Sequence, residues 1–188
     1  YSWGHGPHGV LGNNNTANQL TPVRVTTNAS GTSYLTGIKQ IAVGYYTAVA
    51  VDNSGYAWAW GHNGYGTLGD GTTTTRHYAQ RVQGISNVKE VALGGDDYNY
   101  GASTGYAVTN DGNLYGWGYS GYGALGDETN SVLTPKLLAT NVDRVTAGGE
   151  AQGVTVLILK KDKTVWGMGC NSNGRFGNNE NIESNKDR

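Results

Sequence analysis

The sequence has 188 residues, of which 31 are glycine and only 14% are charged, and its formal net charge is −1. A net charge this close to zero excludes a strongly basic surface for nucleic acid or anionic membranes. The sequence also contains no stretch of about 20 apolar residues that could span a bilayer. A lone cysteine, Cys170, excludes an intramolecular disulfide and a cysteine-based metal centre.

A glycine-rich sequence motif occurs four times along the chain. The copies are "YSWGHGPHGVLGN" (1–13), "AWGHNGYGTLGD" (59–70), "GWGYSGYGALGD" (116–127) and "WGMGCNSNGRFGN" (166–178). The period is therefore between 50 and 60 residues, which is typical of an array of repeated structural units.

Between these copies, each repeat reads as a succession of short β-strands. "IKQIAVG" is followed by the apolar, β-branched "TAVAV", by the turn sequence "NSG" and by "YAWAWG". A weaker fourth strand is predicted at 21–25, 79–82 and 134–138, where proline in two of the three copies suits an edge position. The third copy has "KDK" in place of "NSG", and without a glycine its turn is expected to differ. The sequence thus predicts an all-β fold of four-stranded units, each one blade of a β-propeller.

Large side chains alternate with glycines in these repeats, and this pattern predicts how the blades pack. We expect the large residues to form wedges between neighbouring sheets, while the glycines allow close backbone approach and sharp turns. The predicted core residues of the blades are Trp3, Trp58, Trp60, Trp117, Trp166 and Met168.

We interpret residues 1–188 as a single repeat array, with units at roughly 1–60, 61–117 and 118–168 and a partial unit at 169–188. About three blades make an open arc with exposed apolar edges. Either the chain is a segment of a longer protein, or copies associate head to tail to complete a ring. We favour the segment.

The motifs "WGHNGYGTLGDG" (60–71) and "IKQIAVG" (38–44) resemble the repeat of the regulator of chromosome condensation family. This resemblance covers essentially the whole chain and implies a β-propeller, usually of seven blades, that serves as a binding scaffold. The family's common His-Ser pair after the "A-x-G" run is missing, which indicates a divergent member, and we expect a bacterial one.

Catalytic patterns are missing from the sequence, and we expect neither enzymatic activity nor a metal or cofactor. His5 and His62 occupy the same column of the repeat, but equivalent positions in adjacent sheets are about 10 Å apart, too far for a shared metal. Asp70 and Asp127 follow "LG" in one column, which favours a role in capping a turn.

The middle repeat carries an insertion around residues 96–103, and insertions in repeat proteins often form the binding face. Tyrosine, asparagine and acidic side chains there suit protein contacts. The predicted binding residues are Asp96, Asp97, Tyr98, Asn99, Tyr100, Tyr45, Tyr46 and Glu150.

The function that we predict is a non-enzymatic scaffold that binds a protein partner through loops on one rim, on a secreted or cell-surface protein. Three alternatives stay open: a carbohydrate-binding propeller, a nucleotide-exchange regulator of a small GTPase, and an inhibitor of a secreted enzyme. We expect neither nucleic-acid binding nor membrane insertion. The partner could also be a second copy of this chain, which would complete a ring.

Overall fold

The computed structural model describes residues 1–95, 101–126, 131–150, 153–179 and 185–187, without the side chains of Glu150 and of 185–187. In this part of the chain the fold is all-β, as predicted, apart from three single-turn 3-10 helices at Pro7–Gly9, Gly121–Gly123 and Ser172–Gly174. The strands are β1 Ser2–Gly4, β2 Gln19–Val23, β3 Ile38–Val43, β4 Thr47–Asp52, β5 Ala57–Gly61, β6 Arg76–Arg81, β7 Val88–Gly94, β8 Thr104–Thr109, β9 Leu114–Tyr119, β10 Ser131–Ala139, β11 Val142–Glu150, β12 Gly153–Lys160, β13 Val165–Gly169 and β14 Asn185–Asp187.

Three antiparallel four-stranded sheets follow one another along the chain, each with its strands in sequence order. The first blade is β3 to β6, the second β7 to β10 and the third β11 to β14, and β1 and β2 form a two-stranded partial blade before them. The predicted four strands per repeat, including the weak fourth strand, are confirmed. The sheets span 38–81, 88–139 and 142–187, so the three full repeat units drawn from the sequence each straddle two sheets.

The hairpin turns between the second and third strands share one geometry in all three blades. The amides of Gly55, Gly112 and Lys163 each donate to the carbonyl three residues earlier, at 2.9–3.0 Å. Their φ angles are +79°, +90° and +72°. The expectation of a different third turn is wrong, because Lys163 adopts the left-handed conformation that glycine adopts elsewhere, at a cost of about 1–2 kcal/mol.

Apolar side chains from neighbouring blades make up the core, which lies between the sheets. Val25 of the segment after the partial blade packs with Ala48 and Trp60 of the first blade. In the next joint, Val49 of the first blade packs with Trp117 of the second. Each joint therefore buries apolar surface that one sheet alone would expose to water.

The tryptophan wedges are confirmed at Trp60 and Trp117, which are buried, and Met168 is buried at the equivalent position of the third blade. Each indole lies over the glycine loop of the preceding sheet: a Cβ atom at Gly12 would lie 2.9 Å from Trp60 Nε1, and one at Gly69 would lie 3.0 Å from Trp117 Cδ1. This contact is why the repeat sets its largest side chains beside its smallest.

Other predicted core residues lie nearer the surface. Trp58 and Trp166 are half-buried, and their indole nitrogens donate to Asp52 Oδ2 and Thr164 Oγ1. The prediction for Trp3 is wrong, since its side chain is 64% exposed. A wedge is covered by the sheet that precedes it, and no sheet precedes β1 in the described part of the chain.

Candidate functional site

Two sets of loops meet along one edge of the sheets, which we call the loop rim. It comprises the turns between the first and second strands (44–46, 95 and 101–103 among the described residues) and the segments that follow the third strands (5–18, 62–75, 120–126 and 170–179). The His62 amide donates to the Tyr46 carbonyl at 2.8 Å, and the Tyr119 amide donates to the Ser103 carbonyl at 3.0 Å. These bonds hold both kinds of loop on a common surface.

Five aromatic rings form a connected group on the loop rim, which we call the rim cluster: His5, His8, Tyr45, Tyr46 and His62. The ring of His8 has its centroid 4.5 Å from that of Tyr46 and 5.1 Å from that of His62. Tyr45 joins the group 4.6 Å from Tyr46 and 6.0 Å from His5. The cluster bridges the partial blade and the first blade, and all its contacts are edge-to-face, a preferred aromatic geometry.

The structure brings two of the predicted binding residues, Tyr45 and Tyr46, into this cluster. The side chain of Glu150, at the end of β11, lies outside the described structure, and so does the middle of the insertion, namely Asp96, Asp97, Tyr98, Asn99 and Tyr100. The described end of the insertion does reach the cluster, because the Gly101 carbonyl oxygen lies 3.3 Å from His62 Nδ1.

Sequence reasoning missed the pairing of His8 with His62. It compared His5 with His62, which share a column, whereas the actual contact joins two different columns one repeat apart. The next joint repeats it with phenols: Tyr65 and Tyr119 have centroids 5.1 Å apart. In both joints, the fifth residue after one tryptophan (His8 or Tyr65) meets the second residue after the tryptophan of the next repeat (His62 or Tyr119).

The electrostatic setting of His62 favours the neutral ring. Burial lowers the pKa of His62 below its ordinary value, and the nearby His8 lowers it further, although the hydrogen bond to Gly101 opposes them. A carbonyl oxygen only accepts hydrogen bonds, so Nδ1 carries the proton and Nε2 has a free lone pair.

A buried polar network supports the rim segment that follows β5. The Asn63 side chain accepts from the Leu68 amide at 2.9 Å and donates to the Thr72 carbonyl at 3.0 Å. Burial alone would raise the pKa of Asp70, but hydrogen bonds from Thr72 and Arg76 outweigh it and lower that pKa below the ordinary value. The expected turn-capping role of Asp70 is confirmed by its bond to the Thr72 amide, at 3.0 Å.

An apolar cavity of about 400 Å³ opens between the partial blade and the first blade. His5 and Tyr45 belong to both this cavity and the rim cluster. The cavity's other lining residues include Tyr1, Trp3, Leu35, Ile41, Val43 and Trp60.

The described residues contain no group of three or more His, Cys, Asp or Glu side chains placed to hold a metal ion together. In the same part of the chain, we found no helix with the length and apolarity that a membrane crossing requires.

Comparison with known protein families shows the family to which this chain belongs. Two descriptions of the regulator of chromosome condensation (RCC1) repeat match the chain, one at residues 1–51 and 54–96 and the other at 38–67. The chain belongs to the RCC1 repeat family. The resemblance inferred from the sequence is thereby confirmed.

Relatives with this repeat are much longer proteins. The human E3 ubiquitin-protein ligase HERC2 is 32% identical over 184 residues, which are 94% of this chain and 4% of HERC2. The ultraviolet-B receptor UVR8 of Arabidopsis thaliana is 31% identical over 77% of this chain and 31% of UVR8. The chain thus spans less than a third of either relative.

Solved structures of other proteins share the fold. Yeast RCC1 (Prp20), solved with Kap60 bound, gives a TM-score of 0.64 at 16% identity, over 82% of this chain and 38% of that chain. Human WBSCR16 gives a TM-score of 0.57 at 24% identity, over 71% of this chain and 33% of that chain. The likeness to known RCC1 propellers identifies the described sheets as propeller blades.

Proposed function

We propose that this RCC1-repeat array is a non-enzymatic scaffold that binds a protein partner through the loop rim. The observation that carries the proposal is the rim cluster, in which Tyr45 is 40% exposed, packs against its neighbour Tyr46 and contacts His5 across a blade joint. The family membership supports the coarser statement, because RCC1-like propellers act as protein-binding regulators.

The chemistry of this surface suits a protein interface. Tyrosine is enriched where proteins bind one another, because it presents a large and fairly rigid contact area with a polar tip. The apolar cavity of about 400 Å³ beside Tyr45 offers a recess in which a partner's side chain could be buried. The complex of yeast RCC1 with Kap60 supports protein binding as a use of this fold.

Substitution of the two tyrosines tests the proposal. We expect Tyr45→Ser combined with Tyr46→Ser to weaken capture of a specific partner by more than about tenfold, the effect of losing an interface hot spot. Tyr34→Ser is the matched control, since Tyr34 is 41% exposed and lies outside the rim cluster. The measurement is quantitative affinity capture followed by direct binding of the purified partner.

The remaining alternatives are outcomes of parallel assays. Binding to a glycan array that the tyrosine substitutions abolish would replace the protein partner by a carbohydrate. Accelerated nucleotide release from a small GTPase would assign an exchange role, and inhibition of a secreted hydrolase would assign an inhibitory one. If the partner's affinity is unchanged in the double variant, the loop rim is not the binding surface.

An extracellular or cell-surface location, on a bacterial protein, is part of the same proposal. Its support is compositional: the sequence has few charged residues and many glycines and polar uncharged residues. Protease treatment of intact source cells tests the location, because a surface protein is cleaved while cytosolic markers survive. The solution mass of the purified chain tests self-association.

A further inference from the structure

We propose that His8 and His62 together form a binding site for a divalent first-row transition ion at the joint between the partial blade and the first blade. The proposal goes beyond scaffold function and does not depend on it. Its basis is the placement of two imidazoles from different sheets with centroids 5.1 Å apart and ring planes at 80°.

That spacing is the one that a shared metal ion requires. A tetrahedral ion bound at about 2.0–2.1 Å by one nitrogen from each of two imidazoles holds the ring centroids about 5 Å apart. The observed separation matches this distance. Because the rings meet edge to face, the His8 ring must turn about its side-chain torsions before a nitrogen of each imidazole faces the same ion.

The surroundings of His62 orient its ring and leave one nitrogen available. The Gly101 carbonyl accepts from Nδ1, which directs the lone pair to Nε2. Glycines flank the ring on both sides: a Cβ atom at Gly64 would lie 2.8 Å from its Cε1, and one at Gly101 would lie 2.6 Å from its Nδ1. A fixed ring with an outer hydrogen bond to a carbonyl is the arrangement that metal-ligating histidines commonly have.

The neighbouring joint provides an internal comparison. Tyr65 and Tyr119 occupy the equivalent positions at the same centroid distance of 5.1 Å, with ring planes at 69°. The fold thus accepts an aromatic pair at either joint, and the exchange of phenols for imidazoles adds ligand nitrogens without any change in spacing.

The donor set selects the class of ion. Imidazole nitrogen suits copper, nickel and zinc, whereas magnesium and calcium prefer oxygen ligands. Because no third His, Cys, Asp or Glu joins the pair within the described residues, water or a donor from a bound partner completes the coordination. The Irving–Williams order predicts that Cu²⁺ binds more tightly than Ni²⁺ or Zn²⁺.

The test compares the tag-free chain with the double variant His8→Tyr, His62→Tyr, which copies the pair found at the next joint. Calorimetric titration with Cu²⁺ and with Zn²⁺ should show one site in the wild-type chain and a loss of affinity of at least about tenfold in the double variant, since loss of even an outer-shell partner costs that much. His5→Asn should retain the site, because His5 is the rim histidine outside this pair.

Electron paramagnetic resonance of the Cu²⁺ complex gives a second readout. Hyperfine coupling from two imidazole nitrogens in the wild-type chain, and from only one in His62→Asn, supports the site. Equal affinity for Cu²⁺ in the wild-type chain and the double variant, or binding that Mg²⁺ displaces as readily as Zn²⁺ does, would overturn the proposal. Circular dichroism of each variant distinguishes loss of the site from loss of the fold.

Discussion

The indole nitrogen of Trp117 donates a 2.7 Å hydrogen bond to the carbonyl oxygen of Thr67, which lies in the preceding repeat. Trp60 makes the same bond to Val10, also at 2.7 Å, one joint earlier. The wedge between blades is thus fixed by a polar contact as well as by burial, and an indole NH that is buried without a partner would be costly.

Replacement of the wedge should be among the most destabilising single changes in the chain. We expect Trp117→Ala to lower the free energy of unfolding by about 3–5 kcal/mol, through lost burial and the cavity left behind. Trp3→Ala should change it by no more than about 0.5 kcal/mol, because Trp3 is 64% exposed. Urea denaturation followed by circular dichroism measures both variants, and equal losses would show that exposure does not distinguish the two residues.

The glycine under the wedge should resist any side chain. Gly69 has φ +62°, and an added Cβ would lie 2.8 Å from Val82 Cγ1. Gly84 has φ +74° but open space around its Cβ position. Gly84→Ala should therefore cost about 1–2 kcal/mol from backbone strain, and Gly69→Ala should cost about 1–3 kcal/mol more from overpacking. Equal urea midpoints for the two variants would contradict the steric part of this account.

Replacement of Lys163 by glycine should stabilise the third hairpin. Its φ of +72° is strained for a lysine, so Lys163→Gly should raise stability by about 0.5 kcal/mol after the entropy of the unfolded glycine is subtracted. The lost ion pair with Asp143 is exposed and contributes little. Lys161→Gly, at a position without positive φ, is the control and should be destabilising; a thermal melt of both variants decides.

The lowered pKa of Asp70 predicts how its contribution to stability changes with pH. Its folded pKa lies below the ordinary value of 3.8, so the native state holds the ionised form more strongly than the unfolded chain does. The resulting stability is present above the unfolded pKa and is lost as the pH falls through the folded pKa. The stability difference between wild type and Asp70→Asn should shrink when denaturation is repeated from about pH 7 down to about pH 3; a constant difference would contradict this role.

The depressed pKa of His62 can be followed directly by nuclear magnetic resonance. Burial is the larger cause and His8 adds to it, so His8→Asn should raise the pKa of His62 while leaving it below 6.5. An unchanged titration of the His62 Cε1 proton in this variant would show that the two rings do not interact electrostatically.

Much of the fold could be predicted from the sequence because its signals are local and repeated. Short apolar runs rich in β-branched residues, followed by turn sequences, identified the strands of each blade, and the spacing of tryptophan and glycine predicted their packing. The exposure of Trp3 was not predicted, since burial of a wedge depends on the sheet before it. The φ of Lys163 was not predicted either, because the tertiary context of the hairpin overrides the local preference for glycine.

The candidate site was only partly accessible to sequence reasoning. Tyr45 and Tyr46 were predicted from the composition of their loop. The contact between His8 and His62 depends on how far one sheet is rotated against the next, and a comparison of equivalent columns does not contain that offset.

The bonds from Trp60 to Val10 and from Trp117 to Thr67 both point toward the amino terminus. The array is therefore directional, because each of these tryptophans docks on the loop of the preceding repeat. Separation of two blades at such a joint exposes the indole of one and the glycine-containing loop of the other, so the free energy of the joint is lost as a unit whichever blade unfolds first.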